Sequence, residues 1–236
     1  QLNKANGSVE VKQPQKQAQQ QQEAKQEHQA ATETATTDTT TTAAPQQQMV
    51  FIEAVHKAAA EGNVEELRNI LDKDPHAVRK TYGEDYLTAI HIAALKNQVD
   101  CIKLLLVHGA SVDEKTRIES TPLIIACSKG NIDAAQALMA SGANILERDV
   151  YGFSAWHMCI KMGELELAGF MLANGVEVNF KRTDGKTAFS MACEMGNLNA
   201  VKWLVEKEAQ TNLKDSKGNT PIFFAVKNDC REVVEY

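Results

Sequence analysis

Three histidines are the first residues that could do chemistry. His56, His91 and His157 fall at related places along a chain of 236 residues. Imidazole titrates near neutrality and ligates metals, so recurring histidines suggest a general base or a metal site. Their spacing points elsewhere. His91 and His157 stand two intervals of 33 residues apart, and at the intervening and following places the chain carries Ile124, Ser190 and Phe223. A reaction that needed an imidazole would not accept those replacements, so the histidines read as structural. His28, His76 and His108 have no evident companions.

The five cysteines, Cys101, Cys127, Cys159, Cys193 and Cys230, form no CxxC pair and no Cys/His cluster with metal-ligand spacing. Their odd number argues against a disulfide framework. They read as small, reduced, buried thiols of an intracellular protein, cytoplasmic or nuclear. Acidic pairs such as Glu65-Glu66, Glu84-Asp85 and Glu164/Glu166 fall on turns or polar helix faces and read as solvated surface. GNVEEL, GNIDAA and GNLNAV each follow a single glycine, with neither a GxGxxG nor a P-loop lysine to hold phosphate. Asn6-Gly7-Ser8 is a lone glycosylation sequon. No catalytic, cofactor-binding or metal-binding residue is predicted, and the chain is expected not to be an enzyme.

The elements that carry these residues are set by a repeat. Thr88, Thr121, Ser154, Thr187 and Thr220 follow one another at 33-residue intervals without a slip. Each hydroxyl suits a helix N-cap, and Pro122 and Pro221 follow at the first helical position, where a missing N–H costs nothing. Ile90, Leu123, Trp156, Phe189 and Ile222 come next and are expected to face inward. Small residues then line one helix face: Ala93-Ala94, Ala126-Cys127, Cys159-Ile160, Ala192-Cys193 and Ala225-Val226. Nine residues after the cap stand Asn97, Gly130, Gly163, Gly196 and Asp229, types that tolerate a left-handed helix end. A second helix with a longer apolar stripe follows, Trp203 lying in the stripe of the fifth. It closes at Gly109, Gly142 and Gly175, but at Glu208 in the fifth unit, which should be the least well-formed corner.

In TAIHIAA, TPLIIAC, SAWHMCI, TAFSMAC and TPIFFAV, with HGASVD, SGANIL and NGVEVN at the far ends, the chain resembles the ankyrin-repeat family. The resemblance covers residues 50–236. It implies an all-α solenoid of helix–turn–helix units joined by β-hairpin-like loops, with repeats near 50–82, 83–115, 116–148, 149–181, 182–214 and 215–236. The first is divergent. It has no capping hydroxyl, and DPHAVRKTYGEDY carries a two-residue insertion; Glu53, Lys57, Glu61 and Glu65 give it the polar outer face of a terminal repeat. The sixth stops inside its second helix at Tyr236, which reads as a truncated sequence.

Ahead of the repeats, residues 1–48 hold Leu2, Val9 and Val11 as their only large apolar side chains amid Gln and Thr. Such a segment cannot offset an ordering cost of roughly 1–2 kcal/mol per residue, so a disordered tail is expected. The formal charge of −6 leaves the repeats mildly acidic, with no footprint for nucleic acid, and no apolar run is long enough to insert in a membrane.

The family resemblance implies that function lies on the surface. Hairpin tips and the outer turn of each first helix line a groove that holds protein partners, with the array itself expected to be monomeric. Ile118, Val150, Tyr151, Phe153 and Met162 put apolar groups at such positions in the middle repeats, beside Lys129 and Lys161. Clustered exposed apolar and aromatic residues mark interaction sites. The competing role for Tyr151 and Phe153 is to fold onto neighbouring tips and stiffen them. Lys96, Lys129 and Lys161 opposite Glu84 and Asp85 suggest a partner of mixed charge. The expected function is a non-enzymatic interaction module or scaffold. Its alternative is the targeting or regulatory segment of a larger enzyme or channel.

Overall fold

The structure, a computed structural model, describes residues 45–236, with side chains from residue 53. The expected tail lies outside the described residues except at its last four positions, which belong to the first helix. Twelve α-helices follow in order among the described residues: α1 (Pro45–Glu61), α2 (Val64–Lys73), α3 (Ala89–Leu95), α4 (Val99–Val107), α5 (Pro122–Ser128), α6 (Ile132–Ala140), α7 (Ala155–Met162), α8 (Leu165–Ala173), α9 (Ala188–Glu194), α10 (Leu198–Glu206), α11 (Pro221–Lys227) and α12 (Arg231–Glu235). They form the repeat solenoid that the 33-residue period predicts.

Capping shows why each first helix starts where it does. Thr121 Oγ1 accepts the Ile124 N–H at 3.3 Å, and Thr187 Oγ1 accepts that of Ser190 at 3.2 Å. In the second and fourth repeats a histidine completes the cap. His91 Nδ1 accepts the Thr88 N–H at 3.1 Å and lies 2.8 Å from its hydroxyl, and His157 does the same at Ser154. Since Nδ1 accepts, Nε2 carries the proton and donates to the Glu114 carbonyl at 3.0 Å, or to Phe180 at 3.2 Å. Each histidine therefore ties the start of one helix to the loop leading into the next repeat.

The odd-numbered helices from α1 to α11 stack in one layer. Ala93, Ala94, Ala126, Cys127 and Ala192 at their contacts are buried and let the backbones approach. The even-numbered helices bury Leu71, Leu105, Leu138, Met171 and Leu204. Polar ties cross between units: Asn131 Nδ2 donates to the carbonyls of Ala94 and Leu95, and Asn97 Oδ1 accepts the Ala134 N–H. Ile90, Leu123, Trp156 and Phe189 are inward as expected, whereas Ile222 is half exposed because no later repeat among the described residues packs on it. Trp156 is fully buried with its Nε1 unpaired, its ring 6.4 Å from that of Trp203, which is only partly buried.

The turns follow the expected left-handed positions. Asn97, Gly130, Gly163, Gly196 and Asp229 all have positive φ, as do Gly109, Gly142, Gly175 and Glu208. The Glu208 corner is formed like the others: φ is 61° and Ala209 N–H reaches the Leu204 carbonyl at 2.9 Å, as Ala110 reaches Leu105. Its penalty is stored as strain. The first loop, which carries the insertion, forms a 3₁₀ turn, Pro75–Arg79, that buries Ala77 and Val78. Among the described residues the hairpin loops make no strand, only isolated bridges between Tyr82 and Leu87 and between Lys181 and Thr187.

Candidate functional site

Two positions per repeat stand eight residues apart, one at the base of the hairpin and one in the last turn of the first helix. In order the pairs are Leu87/Leu95, Ser120/Ser128, Phe153/Lys161, Lys186/Glu194 and Asn219/Lys227. The fourth pair is closed. Lys186 Nζ lies 2.7 Å and 2.8 Å from the two Glu194 carboxylate oxygens and 4.2 Å from the centre of the Phe224 ring. The second pair is the reverse case. Two serines, flanked by leucines on one side and by Phe153 and Lys161 on the other, leave a hollow of about 520 Å³.

Its walls show a simple alternation. Asp85 and Leu87, Thr116, Ile118 and Ser120, and Asp149, Tyr151 and Phe153 line the tip side. Each tip is a tight turn with one left-handed residue, Tyr86, Glu119 or Gly152, and the residues between the lining ones stay outside the hollow. Val150 is one of these. It is exposed, its N–H donates to the Ile118 carbonyl at 3.0 Å, and it does not line the hollow. Met162 is also exposed outside it, at the end of α7. Of the seven residues singled out from sequence, the hollow gathers Ile118, Tyr151, Phe153, Lys129 and Lys161.

Ile125 and Met158 complete the helix wall and were missed from sequence. They stand three residues before Ser128 and Lys161, one turn away on the same helix face. That spacing was the signal available.

Tyr151 and Phe153 part company. Tyr151 is 61% exposed. Phe153 is half-buried, with the Arg182 guanidinium 4.3 Å and Lys161 Nζ 5.0 Å from its ring centre. Arg182 is itself held by Asp184 through Nε and Nη2. Phe153 thus joins the fourth and fifth repeats and also walls the hollow. The joint falls at a gap in the main-chain contacts between tips. Arg117 N–H donates to the Asp85 carbonyl, Val150 to Ile118 and Ser216 to Asp184, whereas no such bond links Thr183 to Tyr151 among the described residues.

The electrostatics separate the two walls. Asp149 Oδ1 accepts the N–H groups of Tyr151 and Phe153, which commits it to its own hairpin. Lys129 and Lys161, on the helix wall, have no acidic partner among the described residues, Lys161 meeting only the Phe153 ring.

The histidines and thiols are poor candidates for chemistry. Burial pushes the imidazoles of His91 and His157 down to about 4, so both are neutral near pH 7. Burial likewise pushes the Cys193 thiol up to about 12 and raises Cys127, which also meets Cys159. Thiolates, the reactive form, are therefore disfavoured. Among the described residues no group of three or more His, Cys, Asp or Glu side chains is placed to hold a metal ion, and no helix is long and apolar enough to cross a membrane.

A family model described as ankyrin repeats, three copies, matches residues 55–149 and 156–236. Over 71 residues, 30% of this chain, the sequence is 42% identical to a transient receptor potential cation channel subfamily A member 1 homolog of Caenorhabditis elegans. Over 39 residues, 16% of the chain, it is 56% identical to ankyrin repeat and SOCS box protein 6 of Homo sapiens. The matched stretches amount to 6% and 9% of those proteins' lengths.

Proposed function

The chain belongs to the ankyrin-repeat family, and from that premise we propose that it is a protein-interaction module that grips a partner at the hollow between its second and fourth repeats. The observation that carries this reading is local. A regular array has closed one of its inner pairs with an ion pair, Lys186 with Glu194, and has left another open between two serines with apolar walls. Exposed apolar side chains grouped beside free charge are what a binding surface needs and what a folding surface avoids.

Two exposed residues test it. Ile118 and Tyr151 contribute little to the core, so Ile118→Asp with Tyr151→Ala should leave the thermal transition near wild type. Proteins captured from a lysate by the full chain should lose at least one specific member with this variant. A capture profile that stays the same with the folded variant would refute the hollow as the binding site. Phe153 is unsuited to this test, because its removal also frees Arg182.

A second reading concerns setting. Similarity to short parts of a channel homolog and of a SOCS-box protein supports the array being the interaction segment of a larger protein. Reading the transcript through both ends of this sequence tests that directly.

A further inference from the structure

We infer that the occupant of the hollow is an extended acidic peptide segment of a partner protein, which seats an apolar side chain between Ile118 and Tyr151 and sets a carboxylate against Lys129 and Lys161. The inference rests on the reading of the hollow as an interaction site and adds the chemistry of what enters it.

Two observations converge. The first is shape. A volume of about 520 Å³ is large enough for side chains, but Ile118 is 40% exposed and Tyr151 61%, so the walls do not enclose it. Small-molecule sites bury roughly 70–90% of their ligand. An open trough lined by Leu87, Ile125 and Met158 instead suits a side chain that arrives on a peptide.

The second is charge. Asp149 is engaged by two backbone amides, while the two lysines opposite lack any carboxylate among the described residues. Asp85, on the first tip, is the acid left at the far edge. The helix wall is therefore the side that an acidic residue would meet, and a basic one would meet Asp85 and Asp149 on the tip side, the latter with its Oδ1 already taken by two amides. Lysines in a last helical turn also favour the helix dipole. That role predicts loss of stability on substitution rather than loss of binding.

The test uses the full chain and fluorescein-labelled peptides of about ten residues, long enough at roughly 33 Å to pass the hollow. One peptide carries a central Phe among Asp and Glu, the second replaces Phe by Ser, and the third replaces the acids by Lys. Anisotropy should show the first binding at least about tenfold more tightly than either control. Affinity should fall between about 50 and 300 mM NaCl as screening shortens. Lys129→Glu with Lys161→Glu should cost the first peptide about tenfold or more while the chain remains folded at the assay temperature. Ser128→Leu, which places there the residue found at position 95, should block it by filling the trough.

Equal binding of the basic peptide, equal binding of the Ser peptide, or indifference to the lysine reversal would each overturn the inference. So would an oligothymidylate probe that binds as tightly as the first peptide, since the site would then select polyanions. If the acidic peptide fails while the Ile118→Asp, Tyr151→Ala variant still loses a captured protein, the interaction module stands and the acidic occupant falls.

Discussion

Acidification from about pH 7.5 to about pH 5 should destabilise the array through two side chains. His91 and His157 titrate near 6.5 when unfolded and near 4 when folded, because burial disfavours the imidazolium and Nδ1 already accepts the cap N–H. A depressed folded value means that the folded state binds fewer protons. The stabilisation is therefore complete above the unfolded value and is lost as pH falls from 6.5 towards 4. At pH 5 the loss is about 2 kcal/mol for each histidine and about 4 kcal/mol for both. With a urea slope of about 2–3 kcal/mol per molar, the midpoint should fall by about 1.5 M. Asp74, held low chiefly by its hydrogen bond from Lys80, changes state below 3.8 and lies outside this window. The assay is urea unfolding at both pH values for wild type and for His91→Ile with His157→Ile. Isoleucine already stands at this position as Ile124, where Thr121 caps the helix unaided. The variant should lose most of the pH dependence while remaining folded at pH 7.5. An equal midpoint shift in the variant would refute the assignment.

Backbone strain gives two further expectations. Glu208→Gly should raise stability by about 1 kcal/mol, since Glu208 holds a left-handed conformation that Gly109, Gly142 and Gly175 adopt freely; an unchanged or lower unfolding midpoint would contradict this. Gly185→Ala should cost more than Gly218→Ala, about 2–3 against about 1–2 kcal/mol, in the same unfolding assay. Both have positive φ, but a Cβ at 185 would come within 2.6 Å of the Ser216 nitrogen, whereas nothing lies within 4 Å at 218. Equal costs would mean that the tips yield to one another.

What the sequence made legible follows from locality. Thr121 caps the amide three residues on, and Gly130 turns a helix within one residue, so period and turn types were enough to place the helices of the five units in register, whereas the first helix starts at Pro45, inside the stretch expected to be tail. The Glu208 corner was expected to be poorly formed, yet it is built like its neighbours. The flanking repeats impose its geometry, and the penalty appears as strain. The position of Ile222 was misjudged for the complementary reason: an inward place in the pattern is buried only when another repeat packs on it.

The hollow was half legible for a related reason. Ile118, Tyr151, Phe153, Lys129 and Lys161 stood out as apolar or charged types in positions that point away from the core. Val150 stood out too, but composition cannot tell which residues of a tight turn face the groove, and the turn from Asp149 to Gly152 leaves it outside the hollow. Ile125 and Met158 looked like ordinary helix residues, and only the stacking of α5 on α7 brings them to a common wall. Ser120 and Ser128 carry the least chemistry of all. Their contribution is the volume that they leave empty beside Leu87, Leu95 and Phe153, a quantity that no single repeat contains. The same pair of positions filled by Lys186 and Glu194 closes the surface one unit beyond Phe153. In an array built on one period, the binding site is therefore set by differences in side-chain size between neighbours as much as by reactive groups.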